Sequence, residues 1–230
     1  MGRFIVVEGL IGVGKTSLCR LLQERWGAKL ILEPSETNPF LGPFYADPER
    51  YRFPVQMFYL VNRWRQQDSI RQPELFDGLI VSDYVFAKDR MFAEKTLDPT
   101  ELDLYDRFAM ALDESSPVPD LLIYLEAPTE TIMERIARRR AVGEEAITVD
   151  YLDDLRQRYD VMLKGWKASP VLRLSNADLN YVDSEAGANR VLAIIDAKLN
   201  GRPLPPASLD EAPGSLADRE AQAELFGAGG

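Results

Sequence analysis

Residues 6–17 read VVEGLIGVGKTS, and within them Gly9, Gly14, Lys15 and Thr16 fit the pattern G-x-x-x-x-G-K-[ST]. The chemistry that needs this spacing is phosphate binding. Backbone N–H groups converge on a phosphate only where the chain takes angles open to glycine, and a helix starting just beyond adds free N–H groups and its dipole. On this reading Gly9, Leu10, Ile11, Gly12, Val13, Gly14, Lys15, Thr16 and Ser17 form an ATP-binding loop. Lys15 reaches the outer phosphates, and the Thr16 hydroxyl is a ligand for Mg²⁺. The competing reading is a glycine-rich turn between a strand and an amphipathic helix; the strand before and the helix after favour the phosphate loop. Neither N-K-x-D nor D-x-x-G occurs in the chain, which sets it apart from switch GTPases.

Two acids close apolar runs, Glu33 after KLIL and Asp83 after LIVS. In a doubly wound sheet functional groups gather at such carboxyl ends. Asp83 is placed to hold Mg²⁺ opposite Thr16, directly or through water, and Glu33 to take the proton of an attacking hydroxyl. An acid there often only caps the next helix, but two beside a phosphate loop point to chemistry. Arg135, Arg138 and Arg139 lie three and four apart on one helix face. They are either a solvated face or a lid whose charge meets the transferring phosphoryl group, with AVGEE (141–145) as its hinge. Gln56 and Arg63, seven apart among Phe53, Met57, Phe58, Tyr59 and Trp64, share a helix face. That is a core helix with a polar rim, or an amide and flat apolar surface for a nucleobase.

The elements that must position these groups alternate. β-rich runs at 3–8, 29–33, 79–83, 121–127 and 171–175 are separated by helical periodicity, as in TSLCRLLQERW, ERYRFPVQMFYLVNRWRQQ and TETIMERIARRR. This predicts a doubly wound, three-layer α/β fold with a five-stranded parallel sheet and a helical lid. Residues 1–200 make one domain; from Gly201 the chain turns rich in Pro, Gly and Ala and reads as a disordered tail. A docked helix in SLADREAQAELF is the alternative. The chain of 230 residues is 46% hydrophobic with a formal net charge of −10, which disfavours a nucleic-acid partner. It has no histidine, which excludes His triads and imidazole acid–base catalysis. Cys19 stands alone, which fits a reducing cytoplasm, and neither a signal peptide nor a membrane span is expected.

With these motifs assembled, the sequence resembles the deoxynucleoside kinase family from about Arg3 to Val182. The resemblance is carried by the phosphate loop, Glu33-Pro34, YADPERYRFPVQMFYLVNR with Tyr45, Gln56 and Arg63, and Asp83 followed by KDRMFA with Asp89 and Arg90. It ends on Arg135, Arg139, Glu144 and Ile147, then YLDDL. It implies that Glu33 is the base at the acceptor 5′-hydroxyl. Gln56 would read the nucleobase with Arg63 and Asp89 in support, and Phe92 would pack on the base. Tyr45 and Glu144 would hold the sugar 3′-hydroxyl, and Arg135 and Arg139 would sit on the donor phosphates. Two positions depart from the family pattern: Tyr84 and Ala141 stand where arginines are usual, with Arg138 or Arg140 available beside the second.

The expected activity is transfer of the γ-phosphoryl of ATP, with Mg²⁺, to the 5′-hydroxyl of a deoxyribonucleoside. The carboxylate of Asp89 only accepts hydrogen bonds and therefore favours adenine, guanine or cytosine over thymine, unless Arg90 neutralises it. Deoxyadenosine is the first choice among the acceptors. A thymidylate-kinase-like monophosphate kinase and a slow nucleotide-binding switch are the alternatives. A homodimer is the expected assembly.

Overall fold

A computed structural model describes residues 2–33, 37–71, 78–112, 117–139, 144 and 147–205. Five strands, β1 (Arg3–Gly9), β2 (Lys29–Ile31), β3 (Leu79–Ser82), β4 (Leu121–Glu126) and β5 (Val171–Ser175), form one sheet in the order β2-β3-β1-β4-β5. Every pairing is parallel. Consecutive residues Ile5, Val6, Val7 and Glu8 are all buried, as are Leu121 to Leu125. Successive strand side chains point to opposite faces, so burial without alternation means that both faces are covered.

The covering helices are α1 (Lys15–Trp26), α2 (Leu41–Ala46), α3 (Pro48–Arg71), α4 (Lys88–Thr96), α5 (Pro99–Leu112), α6 (Thr129–Arg139), α7 (Val149–Gly165), α8 (Asn176–Leu179) and α9 (Glu185–Leu199). Pro48 and Pro99 open α3 and α5, where a missing N–H costs nothing. Thr148 and Ser184 cap α7 and α9 by accepting from Tyr151 N–H and Gly187 N–H. The predicted strands are all present, but β2 is shorter than expected and ends two residues before Glu33. Helix α3 runs beyond the expected periodic stretch, and α2 and α5 were not anticipated.

The main core joins the sheet to α1, α6, α7 and α9. A second cluster of Leu60, Ala93, Leu97 and Tyr105, with Phe53 and Met57 beside it, locks α3, α4 and α5 together. That apolar contact fixes how α3 and α4 present their polar residues to the sheet edge. β1 sits between β3 and β4, and the chain leaves β1 towards β2 but leaves β3 towards β4. The crevice of a doubly wound sheet opens where connections diverge in this way, outside the carboxyl ends of β1 and β3. Beyond Gly201 the described chain is still attached: Arg202 N–H donates to the Ala197 carbonyl at 2.8 Å and Leu204 packs on the core. Residues 206–230, including SLADREAQAELF, lie outside the described residues.

Candidate active site

The glycine loop leaves β1 and enters α1 at the crevice. Gly9 has φ 142° and Gly14 φ 110°, backbone that side chains with a Cβ rarely adopt. A Cβ at Gly9 would stand 2.5 Å from the Leu125 carbonyl oxygen, so the loop also lies too close to β4 for any other residue. Lys15 Nζ turns into the loop, donating to the carbonyls of Gly9 (2.8 Å) and Leu10 (3.1 Å). Burial, and Lys88 nearby, lower its pKa against the pull of Glu8, Glu33 and Asp83.

Asp83, one residue past β3, faces α1. Its Oδ2 accepts from the Thr16 hydroxyl at 3.0 Å, and its Oδ1 accepts from the Glu33 N–H at 2.7 Å. One carboxylate thus ties together the segments that follow β2 and β3 and the start of α1. Glu33 is gripped by Arg63, while Lys88 Nζ lies 3.5 Å from its Oε2. Burial alone raises the Glu33 carboxyl, but Lys88, Arg63 and Lys15 outweigh it and hold it at about 2.

Arg63 also grips Asp89, whose other oxygen accepts from the Tyr105 hydroxyl at 2.9 Å. The Arg63 Nε–H is buried and has no hydrogen-bond partner among the described residues. Gln56, on the same face of α3, is buried and donates to the Thr96 hydroxyl at 3.0 Å. Phe92 lies half-buried on α4 against the core. Tyr45, on α2, is paired ring to ring with Phe44.

From the lid side, Arg135 on α6 donates to the Val13 carbonyl at 3.0 Å, bringing that helix onto the glycine loop. Arg139 is ion-paired with Glu144, the residue the resemblance assigned to the sugar. Arg138 is exposed; Arg140, Ala141 and most of the expected hinge lie outside the described residues, as does Pro34. Arg90 does not neutralise Asp89. Its side chain turns outward to Asp106 and Glu94, because α4 directs Asp89 inward and its sequence neighbour out.

Several residues of the site belong to no motif in the sequence. Glu8, Lys88 and Tyr105 are buried and bear on the site. Asn176 and Tyr181 brace the glycine loop by donating to the carbonyls of Val13 and Gly14. A charge inside the apolar run of β1 was the available signal for Glu8. The place of Lys88 beside Asp89 hinted at its role, but nothing local marked the other three.

The family model for deoxynucleoside kinases matches residues 5–200. The chain belongs to the deoxynucleoside kinase family. It is accordingly an ATP-dependent kinase of deoxynucleosides. Among its relatives, a deoxyguanosine kinase of Bacillus subtilis is 34% identical over 84% of this chain and 97% of its own length. A deoxyadenosine/deoxycytidine kinase of the same organism is 35% identical over 84% and 89%. A deoxyadenosine kinase of M. mycoides, solved with dATP bound, shares the fold with a TM-score of 0.70, 24% identity and coverage of 86% of this chain and 99% of that one.

Proposed function

We propose that this deoxynucleoside kinase prefers a purine deoxynucleoside or deoxycytidine, deoxyadenosine first, and accepts thymidine poorly. One observation carries the reading: a single guanidinium, Arg63, bridges the carboxylate suited to the acceptor oxygen and the carboxylate suited to the base. Asp89 offers only acceptor lone pairs, while the free Nε–H of Arg63 offers a donor. An acceptor beside a donor matches an exocyclic amine next to a ring nitrogen. The O4 of thymine would face the Asp89 lone pairs instead, an unmet polar contact worth about 1–3 kcal/mol. Gln56 adds paired hydrogen bonds and Phe92 a flat surface. Tyr45 and Glu144 serve the sugar, Glu144 by exchanging Arg139 for the 3′-hydroxyl.

In the transfer step the acceptor 5′-hydroxyl gives its proton to Glu33 as its oxygen bonds to the γ-phosphorus. The bond from that phosphorus to the β,γ-bridging oxygen breaks, and ADP leaves. A carboxylate held at about 2 is a weak base. As the base engages Arg63, its turning from Glu33 removes one of the cations that hold the carboxyl down, Lys88 being the larger, and so couples recognition to chemistry. Residues 9–17 cradle the donor phosphates, and Lys15, Arg135 and Arg139 meet the charge spread over the transferred group. Thr16 and Asp83 fit Mg²⁺, which takes one or two protein oxygens and fills its remaining positions with water and phosphate. When bound, the ion neutralises charge on the donor.

Residues 1–200 form the catalytic unit, supported by the span of the family match. Helix α5 exposes Leu104, Phe108 and Met110, and an open groove beside α2 and α3 is lined by Phe40, Phe53, Met57, Phe58 and Val61. These two apolar surfaces are our candidates for a homodimer interface. A cytoplasmic location suits the buried, unpaired Cys19. Among the described residues no helix is long and apolar enough to cross a membrane. The test is acceptor-dependent ADP release with each of the four deoxynucleosides. Thymidine should trail the best acceptor by roughly one to two orders of magnitude in kcat/KM. Thymidine as the best acceptor would overturn the role given to Asp89.

A further inference from the structure

Lys88 opens α4, yet only 2% of it is exposed. Its Nζ lies 3.4 Å from Glu33 Oε1, 3.5 Å from Glu33 Oε2 and 3.6 Å from Glu8 Oε1. An ammonium is strongly hydrated, and burying one is costly unless opposite charge meets it. The two carboxylates it meets differ in kind. Glu8 is fully buried within β1 and fixed on every side: its Oε1 accepts from Val85 N–H (2.6 Å), and its Oε2 from the Tyr159 hydroxyl (2.9 Å) and Gly9 N–H (3.3 Å). Glu33 stands past the end of β2, and its side chain retains 22% exposure. Arg63, which also pairs with Glu33, is shared with Asp89. Tyr84, at the crevice end of β3, contributes a ring 5.9 Å from Lys88 and no charge.

We propose that Lys88 is a positioning residue of phosphoryl transfer: anchored on the immobile Glu8, it holds the Glu33 carboxylate at the acceptor hydroxyl while Arg63 turns to the base. This rests on Glu33 being the proton acceptor.

The test is a set of steady-state measurements on Lys88→Met, Glu33→Gln, Lys88→Met/Glu33→Gln and Glu8→Gln/Lys88→Met, using ATP and the fastest natural deoxynucleoside. Lys88→Met should lower kcat by about 100-fold or more while moving the nucleoside KM by less than about 3-fold. In the Glu33→Gln background the same change should cost under about 3-fold, because the group it positions is gone. Glu8→Gln/Lys88→Met leaves no unpaired charge at Glu8, thermal unfolding of both Lys88 variants reports whether each folds, and the folded double variant should stay slow. Recovery of wild-type kcat in that double variant would show that Lys88 only neutralises Glu8 and would overturn the proposal. Fully independent effects of Lys88→Met and Glu33→Gln would overturn it as well. Wild-type turnover by Glu33→Gln removes the reading on which the proposal rests, whereas wild-type turnover by Lys88→Met beside a slow Glu33→Gln removes Lys88 alone.

Discussion

Glu8, Lys88, Glu33, Arg63 and Asp89 follow one another through the crevice as a chain of alternating charges, each touching the next. Buried charge is tolerated only when paired, so a change at any one of them strands its neighbours. Glu33 shows the consequence for pH. Its carboxyl is held at about 2 against an ordinary 4.5, so between those values the folded chain binds fewer protons than the unfolded one. The stability it contributes is fully present above about pH 4.5 and is lost as pH falls through about 2, an effect of order 3 kcal/mol. Glu33→Gln should therefore flatten the acid loss of stability, measured as the difference in urea midpoint between pH 6 and pH 3. The same variant should lose roughly 10²–10⁴ in kcat, since an amide cannot take up the proton. A change confined to KM would make Glu33 a binding group only.

Among the elements, the glycine loop depends on partners from the far end of the chain. A Cβ at Gly14 would lie 2.8 Å from the Tyr181 hydroxyl oxygen and 2.9 Å from Asn176 Nδ2, on backbone with φ 110°. Gly14→Ala should therefore displace the segment after β5 as well as strain the loop. We expect a loss of about 1–3 kcal/mol, read from thermal unfolding. KM for ATP should rise more than KM for the nucleoside, because the groups we propose to read the base lie on α3 and α4, whereas a Cβ at Gly14 meets Tyr181 and Asn176. Equal effects on both substrates would mean that the loop and the acceptor site move as one body.

For the whole molecule, the strand order brings the segments following β1, β2 and β3 to one crevice, while the satellite core of α3, α4 and α5 holds in place the helices that carry Gln56, Arg63 and Asp89, the residues we propose to read the base. Residues 206–230 continue the Pro-, Gly- and Ala-rich composition that begins at Gly201. Among the described residues the last contact with the main core is Leu204, three residues beyond the compositional break expected at Gly201. Truncation after Pro205 should leave kcat/KM unchanged and the melting temperature within about 2 °C of the full chain, less than 1 kcal/mol for a domain of this size. A larger fall would show that SLADREAQAELF docks on the domain.

Whatever depended on local pattern was legible in the chain of residues itself. The spacing from Gly9 to Thr16 encodes its own loop, continuous apolar runs mark strands buried on both faces, and a seven-residue interval put Gln56 and Arg63 on one helix face. The same patterns placed Asp83 opposite Thr16 once the strands were taken as parallel. Which charges pair was not legible, because a charge in a sequence has sign but no direction. Asp89 and Arg90 are adjacent, yet the rotation of α4 buries one and exposes the other. Lys88 meets Glu33 across 55 positions, Tyr159 meets Glu8 across 151 and Tyr181 meets Gly14 across 167. Those contacts exist only because the sheet order sets β1 between β3 and β4, and that order is a property of the packed core rather than of any segment within it.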